Sequence, residues 1–192
     1  FDLSAMLRSR SVKRIECAPN PRLAMPYRGF AVDPAVLAPA PRLGEAWRMA
    51  DRGKILGAVL AGGRSMRFGS DKGEALWQGQ SLLHHAIASL ETECDAVVLC
   101  ANNDRVPEPG IVTLSDRPES GLGPLGGLFA ALSYALQHGF DAVLSAPVDA
   151  HPIPEGLAGL LGKPGPAVLA DHWLFGLWPA GLAPDLERHL RE

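Results

Sequence analysis

The apolar run Ile55-Leu56-Gly57-Ala58-Val59-Leu60-Ala61 breaks into Gly62-Gly63, and Arg64, Arg67 and Asp71-Lys72 follow at once. The run shows no polar alternation, which fits a strand buried on both faces. Glycine lacks a Cβ, so the backbone at 62–63 can turn sharply and come close to a ligand. Exposed N–H groups and several cations at the end of a buried strand suit an anionic, phosphate-bearing ligand. The plain alternative is a tight turn with solvated arginines. The loop has no G-x-x-x-x-G-K-[ST] pattern, and Gly62, Gly63 and Gly69 are not spaced as G-x-G-x-x-G.

Beyond this loop the chain alternates. The pattern predicts strands at Ile55–Ala61, Ala96–Ala101, Val112–Leu114, Ala142–Ala146, Pro166–Ala170 and Leu174–Trp178. It predicts helices at Ser81–Thr92, with Ser81 as N-cap, at Gly126–Gln137, ending at His138-Gly139, at Glu155–Leu161, and at Leu182–Arg191, with Pro184 in its first turn. Apolar strands alternating with helices predict an α/β fold: a mostly parallel sheet with helices on both faces. Ligands of such sheets sit at the carboxyl ends of the strands. Polar residues do recur there: Gly62 to Lys72, then Asn102, Asn103 and Asp104, then Asp116, then Asp149. Residues 1–53 read differently. Prolines at 19, 21, 26, 34, 39 and 41 and little periodicity predict an extended arm or linker outside the fold, with the globular domain at 54–192.

The 192 residues suffice for one domain with a substantial core. A net charge of −3 argues against nucleic acid held by bulk electrostatics. Cys17, Cys94 and Cys100 are too scattered for a disulfide framework or zinc knuckle, which fits a reducing, cytoplasmic setting. No apolar run approaches the ~18 residues of a membrane span.

Among single residues Asp149 stands out, as a carboxylate following a buried strand. It can hold Mg²⁺, which binds through one or two carboxylates together with phosphates and water; the alternative is a turn cap. Asn102 and Asp116 can pair with a base or ribose edge, or make Asx-turns. The glycines of Gly121-Leu122-Gly123-Pro124-Leu125-Gly126-Gly127 admit a base or phosphate at the helix start, or serve only helix–sheet packing. His84 and His85 read as ordinary helix residues, His151 as a surface residue or a support to a neighbouring site residue, and Trp77, Trp173 and Trp178 as core or rim packing. Ser65 has no His and Asp at triad spacing.

Leu60-Ala61-Gly62-Gly63, with Arg67-Phe68-Gly69 and Asp71-Lys72, resembles the signature loop LAGG-x-S-x-R-x-G-x-D-K of the molybdenum cofactor guanylyltransferase family. The resemblance extends over about 55–190. It includes Cys100-Ala101-Asn102, Asp116, the GPL-x-G motif at Gly123 to Gly127, and a stretch from Pro147 to Pro154 similar to a P-x-D-x-P-x-x-P pattern, with His151 at the second proline. It implies a Rossmann-like fold and transfer of GMP from GTP to the phosphate of molybdopterin, releasing pyrophosphate. It implies nucleotide contacts from Leu60, Ala61, Gly62, Gly63, Lys72, Asn102, Asp116 and Asp149. Lys72 and Arg67 would lie on the phosphates, and Asp149 would hold Mg²⁺. Molybdoenzymes or other cofactor-biosynthesis proteins are implied partners. Related enzymes transfer CMP, with alanine more often at the position of Gly62. The family usually continues to an N-x-N-T-P-type segment that does not occur before Glu192, so the expectation includes a C-terminally truncated domain. A sugar-phosphate nucleotidyltransferase and a non-catalytic GTP-binding module stand as alternatives.

Overall fold

The computed structural model describes residues 13–15, 53–61, 72–102, 108–162, 165–170 and 172–192. Its strands are β1 (Lys13–Ile15), β2 (Ile55–Leu60), β3 (Leu76–Trp77), β4 (Gln80–Ser81), β5 (Ala96–Cys100), β6 (Val112–Leu114), β7 (Ala142–Pro147), β8 (Ala167–Leu169) and β9 (His172–Pro179). Its α-helices are α1 (Leu82–Glu91), α2 (Pro124–Gln137), α3 (Leu157–Leu161) and α4 (Ala183–Arg191). Seven strands form one sheet in the order β1-β8-β9-β7-β2-β5-β6, and β3 and β4 form a separate hairpin. The sheet is parallel except for β9, which runs antiparallel to both β7 and β8. The fold is therefore the expected mostly parallel α/β sandwich.

Side-chain alternation along β2 explains how an unbroken apolar strand serves two faces. Ile55 and Val59 join Leu83, Ala86, Ile87 and Leu90 of α1 and Leu157 and Leu161 of α3 on one side. Leu56, Ala58 and Leu60 join Leu128, Ala131, Leu132 and Ala135 of α2 and Leu186 of α4 on the other. Gly57 lies on the α1 side, where an added Cβ would stand 3.2 Å from Leu90 Cβ, Val97 Cγ2 and Cys94 Sγ. The missing side chain lets α1 lie close to the sheet.

Local signals set the element ends. Ser81 is the N-cap of α1, its hydroxyl accepting from the His84 N–H at 3.1 Å. Helix α2 begins at Pro124, two residues before the expected Gly126, because Pro at N1 presets the helical φ. Helix α3 begins at Leu157 rather than Glu155, with Gly156 at φ +70° before it. Its first N–H groups are held from a distance: Glu93 Oε1 and Oε2 accept from Leu157 N at 3.0 Å and Ala158 N at 2.8 Å. The β3–β4 hairpin, absent from the sequence reading, turns at Gln78-Gly79, both at positive φ, as a two-residue hairpin loop demands. From the proline-rich arm, Lys13–Ile15 pairs in parallel register with Ala167–Leu169 and supplies the outermost strand.

Candidate active site

Strand order reverses between β2 and β7. From β2 the chain steps outward to β5 and β6, then returns to the other side of β2 as β7. A crevice opens at the carboxyl ends of such a pair. Leu60 and Pro147 are register partners there, and the Val148 N–H donates to the Leu60 carbonyl at 3.1 Å. Ala61 N donates to Cys100 O at 2.9 Å, and Ala101 N to Leu114 O at 3.0 Å. The four strand ends are thus joined beyond the regular ladder. Leu60 is buried and Ala61 half-buried. Gly62, Gly63, Arg64, Arg67 and Asp71 lie outside the described residues, as does the side chain of Lys72, whose backbone opens a short 3₁₀ turn, Lys72–Glu74.

Asn102 and Asp116 meet at the ends of β5 and β6. Asn102 Nδ2 donates to Asp116 Oδ2 at 3.0 Å, and Asp116 N donates back to Asn102 Oδ1 at 3.2 Å. Gly121 N donates to Asp116 Oδ2 at 3.4 Å. Asp116 as a residue is 7% exposed, and its Oδ1 is buried without a hydrogen-bond partner. An acceptor left this way costs roughly 1–3 kcal/mol until a donor reaches it. The room for Asp116 comes from α2. A Cβ on Gly126 would stand 2.9 Å from Asp116 Cβ, and one on Gly127 would stand 3.0 Å from Cys100 Cβ. The sequence left these two glycines between ligand approach and packing. Gly126 and Gly127 lie against the aspartate and the neighbouring strand. Burial, and then the Asp116 carboxylate, push the nearby Cys100 thiol up to about 12.

Asp149, by contrast, is exposed, in the turn after β7. His172, at the start of β9, is close enough to feel its charge: burial lowers the imidazole pKa and Asp149 pulls it back upward. Two residues beyond Asp149, His151 packs against Trp77 and His85, and its pKa is lowered by burial and then by His85. The sequence reading offers no link among the three; in the structure they form one ring cluster, which fits the supporting reading of His151. It also passed over Asp95 and Asp141, whose carboxylates accept from Ile55 N at 2.8 Å and Lys54 N at 2.7 Å at the opposite end of the sheet. These two anchor the start of β2. Among the described residues no group of three or more His, Cys, Asp and Glu could hold a metal ion.

A family model described as the MobA-like NTP transferase domain matches residues 57–192. The chain belongs to that family. A molybdenum cofactor guanylyltransferase of Acidiphilium cryptum is 42% identical over 69% of this chain and 70% of its own length. One of Rhizobium johnstonii is 34% identical over 71% and 69%. The crystal structure of molybdopterin-guanine dinucleotide biosynthesis protein A from Archaeoglobus fulgidus is similar to this MobA-like domain in fold. Its TM-score is 0.54 at 20% identity, covering 71% of this chain and 73% of that one. The MobA-like chain is a nucleotidyltransferase with an α/β sheet, and its candidate residues Leu60, Ala61, Asn102, Asp116 and Asp149 all lie along the carboxyl ends of β2, β5, β6 and β7.

Proposed function

We propose that this nucleotidyltransferase moves GMP from GTP onto the terminal phosphate of molybdopterin. A phosphate oxygen of the acceptor attacks the α-phosphorus, the bond to the β-phosphate breaks, and pyrophosphate leaves. The observation that supports this best is the pairing of two unlike carboxylates along one crevice: Asp116, buried with an unpartnered acceptor, and Asp149, exposed beside the β2 end. The names of the relatives supply the guanylyl and molybdenum cofactor halves.

Each residue has a role in this reading. The backbone of Leu60, Ala61, Gly62 and Gly63 lies against the nucleotide. Asp116 Oδ1 accepts from an N–H of the base, and Asn102 holds that carboxylate in place. Lys72 and Arg67 neutralise charge on the phosphates and the departing pyrophosphate. Asp149 offers only hard oxygen at an exposed strand end, a donor that fits Mg²⁺ better than a softer metal. Asp149 would hold the metal, which would supply positive charge against the phosphates. No nucleophilic side chain or general base is needed. The acceptor monoester, with a second pKa of ~6, is already largely ionised at neutral pH. Positioning and charge neutralisation therefore dominate, and one lost contact costs ~3 kcal/mol, or ~10²-fold in rate.

Delivery of the product to molybdoenzymes or other cofactor-biosynthesis proteins, in the cytoplasm, belongs to the same reading. Among the described residues no helix is long and apolar enough to cross a membrane.

The test is pyrophosphate release from GTP and from CTP, with molybdopterin and with sugar phosphates as acceptors. Release that requires both GTP and molybdopterin supports the reading. Release with CTP or a sugar phosphate instead would move the chain to another transferase. GTP binding without release would make it a binding module.

A further inference from the structure

Three rings from distant parts of the chain meet beside the crevice. Trp77 belongs to the hairpin that directly follows the Lys72–Glu74 turn. His85 is on α1, and His151 is in the turn that carries Asp149. The Trp77 and His151 ring centroids are 4.3 Å apart at 62°, edge to face. His85 lies 4.7 Å from His151, and 5.2 Å from Trp77 at 75°. His85 Nε2 is 2.9 Å from the Trp77 carbonyl. A carbonyl only accepts, so Nε2 carries the proton and donates. His85 thereby fixes the hairpin backbone while its ring faces His151.

The contacts close a loop of constraints. The hairpin is held at its base, where Leu82 N donates to Ala75 O at 2.9 Å. The Asp149 turn is held before it by Val148 N on Leu60 O, and after it by Glu93 on the start of α3. Between these anchors the ring cluster joins hairpin to turn. In the P-x-D-x-P-x-x-P pattern, position 151 is the second proline. Here it is histidine, with proline following. An aromatic pair stabilises beyond the area it buries, which biases the placement of a short turn.

We propose that Trp77, His85 and His151 form a clamp that fixes the turn bearing Asp149 against the hairpin Leu76–Ser81, and so sets where the Asp149 carboxylate stands at the crevice. The three are positioning residues; the catalytic consequence rests on the function proposed above, whereas the clamp itself does not.

Two readouts test it on the full chain. The first is hydrogen exchange by mass spectrometry over segments 72–83 and 147–155. In His151→Ala, exchange in 72–83 rises about fivefold or more, and in Trp77→Ala exchange in 147–155 rises likewise. In His151→Phe, which keeps a ring, both stay near wild type. The second is steady-state kinetics with whichever nucleotide the wild-type chain uses. His151→Ala lowers kcat about ten- to hundredfold with the nucleotide KM within about threefold, and His151→Phe restores most of it. Exchange that rises only in the segment carrying the substitution overturns the clamp. So does a kcat unchanged in a protein of lowered Tm, or a phenylalanine variant no better than alanine. A wild-type chain that turns over no nucleotide would overturn the proposed function alone, and reciprocal exchange would still decide the clamp.

Discussion

The two carboxylates at the crevice solve different problems. Asp116 is buried, tied to Asn102 and the Gly121 N–H, and seated in space left by Gly126. Asp149 is exposed, and its surroundings are fixed by main-chain bonds and ring packing around the turn. A rigid, desolvated acceptor discriminates between donors, because a ligand lacking the donor leaves it unpaired. A solvated carboxylate can take a hydrated cation without the heavy cost of a buried unpaired charge. In the proposed reaction, selection would fall to the strand end of Asp116 and charge handling to that of Asp149.

The sharpest way to break this division is Asp149→Ala. Turnover should fall to background while Tm stays within about 2 °C, because the side chain is exposed. Chelating Mg²⁺ from the wild-type chain should reproduce the variant. A large drop in Tm would mean that Asp149 is a structural residue like Asp95.

Asp116→Asn should come next in size. The amide oxygen can still accept from Asn102, but an NH₂ replaces the acceptor at the Oδ1 position. Guanine nucleotide affinity should fall about a hundredfold with little change in fold, as read by calorimetry. Unchanged affinity would remove selection from this corner. Gly126→Ala tests the same corner from the helix side. Its Cβ would come within 2.9 Å of Asp116 Cβ, so overpacking should cost about 1–3 kcal/mol in urea unfolding and weaken nucleotide binding about tenfold.

The smallest effect concerns Cys100. With its pKa pushed to about 12, the thiol stays protonated at pH 8, where a free cysteine is partly thiolate. Iodoacetamide should leave residue 100 unlabelled until the protein is unfolded. Burial is the larger cause, so Asp116→Asn should not restore labelling. Fast native labelling would mean the corner opens to solvent.

The sequence made much of this legible because the relevant signals are local. Apolar runs gave the sheet strands from β2 onward, Ser81 gave the start of α1, and the carboxyl-end rule marked Asn102, Asp116 and Asp149. Periodicity does not carry direction, so the antiparallel run of β9 was invisible to it. Only residues 170 and 171 separate β9 from β8, and so short a connection forces a reversal. The Gln78-Gly79 turn held a readable glycine, but strands as short as Leu76–Trp77 show no period. The cluster of Trp77, His85 and His151 joins three separate segments, and nothing in the neighbourhood of any one announces the others. Asp116's orphaned oxygen is likewise a product of packing, set by glycines on a helix it precedes.

The outermost strand carries a consequence for synthesis. Lys13–Ile15 is made long before its hydrogen-bonding partner, Ala167–Leu169. Strand β1 must therefore wait until β8 has been made before it can dock, and pairing between such remote segments is intrinsically slow. Until β1 docks, the edge of β8 is open to a neighbouring polypeptide, so crowding on a polysome should matter most just after β8 emerges.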